Sequence, residues 1–298
     1  MPPEKRTRVI IDTDAKNEAD DQFAIVHGLL TPSFELHGIV PAHFGSAKSQ
    51  TSLQDSHEEV MLLLRLMGLE GQVRVADGAA AAIPDASTPA PSAGAELIVA
   101  EALKDDPRPL HVAFLGPLTD MASALLMAPE IAQREVRVVW IGGGHWPVGN
   151  REYNLSNDIA AANVVARSGV EVWQIPMGVY RRMAVSYAEL YERVHGQGAL
   201  GRYLVDQLVA WNERMVPGPI EHRSLGDSPA IGVMMYPECG ESEWVPGPEY
   251  SELMTYVHGG RNRPVRLYRN VDQRFILEDL VAKLARFARG IRELATFA

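Results

Sequence analysis

Cysteine is all but absent: Cys239 is the single one in 298 residues, which excludes an intrachain disulfide framework. Basic residues are in the minority, 28 Lys and Arg against 38 Asp and Glu, for a formal net charge of −10. That balance excludes nonspecific nucleic-acid binding, which depends on neutralising phosphates. Long apolar runs are missing too. No window approaches the roughly 20 apolar residues that cross a bilayer. The start MPPEKRTR runs straight into a strand-like segment, with no apolar stretch of secretory length behind it. A soluble, cytoplasmic chain with no membrane partner is therefore expected. The 46% hydrophobic and 22% charged content excludes disorder as the main state.

What is present alternates. Short β-branched runs, Thr7–Asp12, Phe34–Pro41, Leu110–Leu115, Val136–Ile141 and Glu171–Ile175, are separated by helical spacing over Asp20–Leu30, His57–Met67, the stretch up to about Met127 and Ile159–Arg167. A long amphipathic helix is expected from about Val271 to Ala295. Strands alternating with helices predict right-handed parallel crossovers. The expected fold is an α/β, doubly wound, mostly parallel sheet with helices on both faces. There is neither an internal repeat nor a linker composition, so residues 1–298 read as one domain. The Ala- and Pro-rich stretch Gly78–Gly94 reads as a flexible loop or lid.

Open parallel sheets bind ligands beyond the carboxyl ends of their strands, and the unusual polar residues fall there. After the first strand come Asp12-Thr13-Asp14 and then Glu18 and Asp20-Asp21. So many carboxylates at one strand end repel one another unless protons or a cation neutralise them. Oxygen donors without Cys or His suit Ca²⁺ or Mg²⁺ rather than zinc. The plainer alternative is that Asp20 and Asp21 cap a helix while Asp12 and Asp14 are solvated. Other strand ends offer Leu115-Gly116-Pro117, Glu152-Tyr153-Asn154 with Asp158, and Leu225-Gly226-Asp227-Ser228-Pro229. Each of these alone also reads as a turn or a helix cap.

Together these segments resemble the inosine–uridine-preferring nucleoside hydrolase family. VIIDTDAKNEADD is similar to its opening acidic element, Gly116-Pro117-Leu118-Thr119-Asp120 to its middle turn, and Gly142-Gly143-Gly144 with Glu152-Tyr153-Asn154 and Asp158 to the segment that follows; Ile175–Val179 and Val271–Phe275 are similar to later ones. The resemblance implies a nucleoside hydrolase-like fold and an N-glycosyl hydrolase acting on a small ribosyl substrate, as a homodimer or homotetramer. It implies a Ca²⁺ held by Asp14, Asp21, the Leu115 carbonyl and Asp227, and a calcium-bound water activated by Asp14 as catalytic base. Asp20, Glu152 and Asn154 would hold ribose hydroxyls, and Asp12 would support the loop from behind.

Three departures from that family stand out. The Asp14–Asp20 spacing is longer. His43 stands after the second strand where the family commonly has Asn, as a ligand-binding residue or a structural hydrogen-bonder. Gly226 precedes Asp227 where many members carry a His that protonates the leaving base. The metal and ribose half is thus retained and the base-recognition half divergent, with Trp146 a candidate stacking partner. Two competing readings use the same residues. One is a non-catalytic, metal-dependent ribose-binding protein; the other is a haloacid-dehalogenase-like phosphatase, against which Lys16 stands where that family has Thr or Val.

Overall fold

In the computed structural model, which describes residues 1–298, the strands are Thr7–Thr13 (β1), Phe34–Pro41 (β2), Leu110–Phe114 (β3), Val136–Ile141 (β4), Glu171–Ile175 (β5), Ala184–Ser186 (β6), His222–Ser224 (β7), Ser242–Val245 (β8), Glu249–Tyr250 (β9), Tyr256–Val257 (β10), Val265–Tyr268 (β11) and Thr296–Phe297 (β12). Eight of them form one sheet in the order β12-β2-β1-β3-β4-β5-β11-β8. Every pairing in it is parallel except the edge pair β11–β8. Two antiparallel ribbons, β6–β7 and β9–β10, lie outside the sheet.

The helices are Asp21–Leu29 (α1), Ser52–Met67 (α2), Ala93–Ala102 (α3), Thr119–Met127 (α4), Tyr153–Asn157 (α5), Ile159–Ser168 (α6), Met177–Tyr180 (α7), Tyr187–Leu190 (α8), Gly198–Met215 (α9), Ser228–Met235 (α10) and Gln273–Ala288 (α11). They cover both faces. Because successive strand side chains point to opposite sides, Val9 and Ile11 enter one core with α1, α2, α9, α10 and α11, while Ile10 enters the other with α3, α4 and α6. This two-sided burial explains why the central strands are continuous apolar runs rather than alternating ones. No helix is long and apolar enough to cross a membrane.

Three segments differ from the sequence expectation. The last helix stops at Ala288 rather than Ala295: Gly290 adopts φ 82°, and the chain turns back to lay β12 along β2. The stretch from Gly78 to Gly94 is not a lid over the acidic cavity described below. Ala79 N and Ser92 Oγ donate to Asp120, Ile83 N to Asp158 and Ala90 N to Ser123 Oγ, and none of its residues lines that cavity. The third is β8, which pairs antiparallel at the edge.

At the opposite end of the sheet, Arg8 is buried against Glu101, donating to its carbonyl at 2.7 Å and to Oε2 at 3.2 Å. Burial pushes Glu101 upward, but His37 and Lys104 outweigh it and hold the carboxyl at about 2. Without Arg8, Glu101 keeps those two partners but loses its buried, charge-assisted hydrogen bond from the guanidinium. Arg8→Met is expected to lower stability by about 2 kcal/mol while leaving metal affinity unaltered, checked by denaturant unfolding and calcium titration.

Candidate active site

β2 and β3 flank β1 on opposite sides, so the chain leaves β1 one way and returns the other. The reversal opens a crevice beyond the carboxyl ends of β1 and β3. A cavity of about 580 Å³ occupies it, a volume suited to a small ligand. Its walls include Asp14, Asn17, Asp20 and Asp21 from the β1–α1 turn, Leu115 after β3, Glu152 and Asn154 after β4, Tyr180, and the segment that carries Asp227.

The lengthened first turn folds inward. Asn17 N donates to the Asp14 carbonyl at 2.8 Å, Asn17 Nδ2 reaches Asp14 Oδ2 at 3.3 Å, and Gln22 Nε2 closes on the Ala15 carbonyl at 2.6 Å. Thr13 Oγ1 donates to Asp21 Oδ1 at 2.6 Å. Carboxylate oxygens of Asp20, Asp21 and Asp227 lie within 4.8 Å of one another. Asp20 thus sits with the two proposed ligands Asp21 and Asp227, because adjacent positions at the start of α1 cannot diverge far. Its Oδ2 accepts from Gly226 N at 2.8 Å. Two glycines make this convergence possible: a Cβ at Gly116 would stand 2.9 Å from Asp14 Cγ, and one at Gly226 3.0 Å from Tyr180 Cδ2. The space that a side chain at 226 would need is therefore taken by Tyr180.

Buried like charges dominate the electrostatics. Burial first, then Asp21, raises Asp14 well above the carboxylate range, with Lys48 opposing. Burial and Glu18 lift Asp20 to about 6, against the pull of Arg223 and the Gly226 amide. Burial and Asp20 lift Asp21 to about 7, and burial with Asp20, Asp21 and Asp14 raises Asp227 strongly. Carboxyls that hold protons near neutral pH lack a compensating positive charge. This all-oxygen donor set could accept a hard divalent cation in the protons' place.

The second half of the cavity is pinned by hydrogen bonds. Glu152 caps α5: Gly143 N and Leu155 N donate to Oε2 at 2.9 Å each, and Asn154 N to Oε1 at 3.1 Å. Tyr180 donates its hydroxyl to Oε1 at 2.9 Å. Asn154 Nδ2 donates to the carbonyls of Leu115 at 2.7 Å and Ile141 at 2.8 Å, tying two strand ends together. Its Oδ1 remains available as an acceptor.

Two expected ligand contacts fall elsewhere. His43 is buried behind the cavity: Gly45 N donates to its Nδ1 at 3.3 Å, so Nε2 carries the proton and donates to Thr119 Oγ1 at 2.9 Å. Thr119 in turn donates to Asp158 Oδ2 at 2.8 Å. Burial lowers His43 to about 4, and it is not among the residues that line the cavity. Trp146 packs beside Tyr256 and His258 at ring distances of 5.3 and 5.1 Å and is absent from the cavity wall, so no stacking role follows from its position.

Asp12 is enclosed. Burial and then Asp120 raise it well above the carboxylate range, and it does not line the cavity. Sequence reasoning missed Tyr180 and Arg223, which line the cavity but belong to no spaced motif, and passed over Asn17 inside the opening acidic element. His222 also lines it.

The sheet, its switch-point crevice and the acidic cavity define an α/β protein of the nucleoside hydrolase fold. The solved purine-preferring ribonucleoside hydrolase from Gardnerella vaginalis superposes with a TM-score of 0.77 over 95% of this chain and 99% of that one, at 20% identity. The chain belongs to the inosine-uridine preferring nucleoside hydrolase family, whose model matches residues 9–275. Uridine nucleosidase 1 of Arabidopsis thaliana is 28% identical over 228 residues, 68% of this chain and 66% of the plant protein. The pyrimidine-specific ribonucleoside hydrolase RihA of Citrobacter koseri is 27% identical over 215 residues, 64% of this chain and 66% of that protein. The chain therefore spans just under two thirds of either relative. Family membership overturns the phosphatase reading. Lys16, moreover, pairs with Glu59 at 2.5 Å and lies outside the cavity wall.

Proposed function

We propose that this protein hydrolyses the N-glycosidic bond of a ribonucleoside or related ribosyl compound. The observation that carries the reading is the convergence of Asp14, Asp20, Asp21 and Asp227 in one buried, sugar-sized crevice. Asp14, Asp21, Asp227 and the Leu115 carbonyl would hold a Ca²⁺, whose charge, when bound, keeps the carboxylates ionised and orients water against the sugar diol.

The chain's own residues then divide the work. Asp20 keeps Oδ1 for a ribose hydroxyl while Oδ2 is held by Gly226 N. Asn154, fixed through its amide nitrogen, holds a second hydroxyl with Oδ1, and Glu152 takes a third when the sugar displaces the Tyr180 hydroxyl from Oε1. As the C1′–N bond breaks, positive charge develops on the sugar ring, and the acidic walls stabilise it. Asp14 takes the proton of the attacking water. A proton must also reach the departing aglycone. Gly226 offers none, and His222 is the histidine of this cavity wall, so we assign that proton to His222.

The test is reducing-sugar release from a panel of purine and pyrimidine ribonucleosides in calcium buffer. Release from at least one, tenfold above background, supports hydrolysis. The missing acid at 226 favours a second reading, a sugar-binding protein without turnover. Calorimetric ribose binding with background release throughout would establish that reading instead.

A further inference from the structure

The cavity floor is acidic, but its wall also carries three guanidinium groups, Arg151, Arg181 and Arg223. Their partners set them apart. Arg223 is committed: it pairs with Glu18, stands 3.9 Å from Asp20 Oδ1 and lies 4.2 Å over the Trp211 ring. Arg151 and Arg181 are exposed, and neither guanidinium has an ion pair or donates a hydrogen bond. They come from separate segments, yet flank a single contact. Arg151 directly precedes Glu152, Arg181 directly follows Tyr180, and Tyr180 donates to Glu152 at 2.9 Å.

In a chain of net charge −10, two unpaired cations, each next in sequence to one member of the bonded Glu152–Tyr180 pair, thus line a cavity whose other charged groups are mostly carboxylates. A neutral nucleoside leaves those cations without a partner. A phosphate fits them: guanidinium groups bind its oxygens through paired, charge-assisted hydrogen bonds. The position also points to one end of the substrate. In the pose proposed above, with the 2′-hydroxyl assigned to Asp20 and the rest of the sugar to Glu152 and Asn154, the C5′ substituent is assigned to the side of Glu152, whose neighbour in the chain is Arg151.

We propose that the substrate is a ribosyl 5′-phosphate, a nucleoside 5′-monophosphate or related glycoside, and that Arg151 and Arg181 receive its phosphate. This rests on the hydrolase reading above and narrows its substrate class. The uncharged ribosyl end of a plain nucleoside is then the poorer ligand.

The test compares kcat/KM for uridine with uridine 5′-monophosphate and for inosine with its 5′-monophosphate. The phosphorylated partner is expected to be favoured by about tenfold, the worth of one or two charge-assisted hydrogen bonds. In the Arg151→Gln/Arg181→Gln double variant that ratio should fall at least fivefold. A ratio at or below one in the wild type, or an unchanged ratio in the variant, overturns the proposal. So does a preference for orotidine over uridine with none for the 5′-phosphate, since that would place the anion on the aglycone. Calorimetry in calcium buffer separates this question from turnover. Ribose 5-phosphate should bind the wild type more tightly than ribose, and the double variant should lose that difference. If no glycoside is cleaved but this binding difference holds, the hydrolase reading fails and the anion site stands. Equal binding of the two sugars overturns the anion site in either case.

Discussion

Replacing Asp14 by alanine is expected to reduce turnover about a thousandfold, the usual worth of a positioned general base, while the protein still folds. The carboxyl is 1% exposed, approached on one side by Gly116 and on another by the Asn17 amide. Of its neighbours, Asp20 is held at one oxygen by Gly226 N and Asp21 at one by Thr13. The effect on stability should reverse with calcium. Without the cation, Asp14 adds to the repulsion that raises Asp227, so its removal should leave the melting temperature level or raise it. With calcium, the same change removes a proposed ligand and should shrink the calcium-induced shift. Near-normal turnover in Asp14→Ala would reject its role as base. A melting temperature that falls sharply without calcium would reject the charge argument.

Calcium is expected to raise the melting temperature by roughly 5 °C at a hundredfold excess over its dissociation constant, and chelation to abolish turnover. The pH dependence of that shift follows from the carboxylates. Asp20 at about 6 and Asp21 at about 7 stand above the ordinary 3.8, so the folded, calcium-free protein binds more protons than the unfolded chain. Stability from these groups is full below about pH 4 and is lost as pH rises through about 6 to 7. Calcium must displace those protons, so it binds weakly at pH 5 and fully at pH 8. The calcium-induced shift measured by differential scanning fluorimetry should be several-fold larger at pH 8. An equal shift at both pH values, or none with either Ca²⁺ or Mg²⁺, would remove the cation from the site.

The central strands were readable because two-sided burial demands unbroken apolar, β-branched residues. Phe34–Pro41, Val136–Ile141 and Glu171–Ile175 occur with the bounds the pattern suggests. The edge strands were not. Ser242–Val245 holds an exposed Trp244, and Thr296–Phe297 is two residues long. Neither carries the apolar periodicity that burial imposes. The 18-residue helix Gly198–Met215 was not among the elements read from the sequence.

Within the site, the acids were legible as a local density of carboxylates, which has few purely structural uses. Asp120 and Asp158 are carboxylates too, yet Asp158 accepts from Thr119, which accepts from His43, Asp120 accepts from Ala79 N and Ser92 Oγ, and none of these residues lines the cavity. Sequence spacing places a residue at a strand end; it does not say whether the side chain turns to the ligand or to the support beneath it.

By itself, the order of residues determined that the chain would build a doubly wound sheet and collect oxygen ligands at the ends of its strands, since periodicity and charge density are local properties. Only the tertiary structure decided that Asp20 joins Asp21 and Asp227 despite the longer turn, that Tyr180 occupies the space beside Gly226, and that Arg151 and Arg181 line the same cavity. Those outcomes depend on which loops the crossovers bring together, and residues far apart in the chain become neighbours only once the sheet has closed around β1.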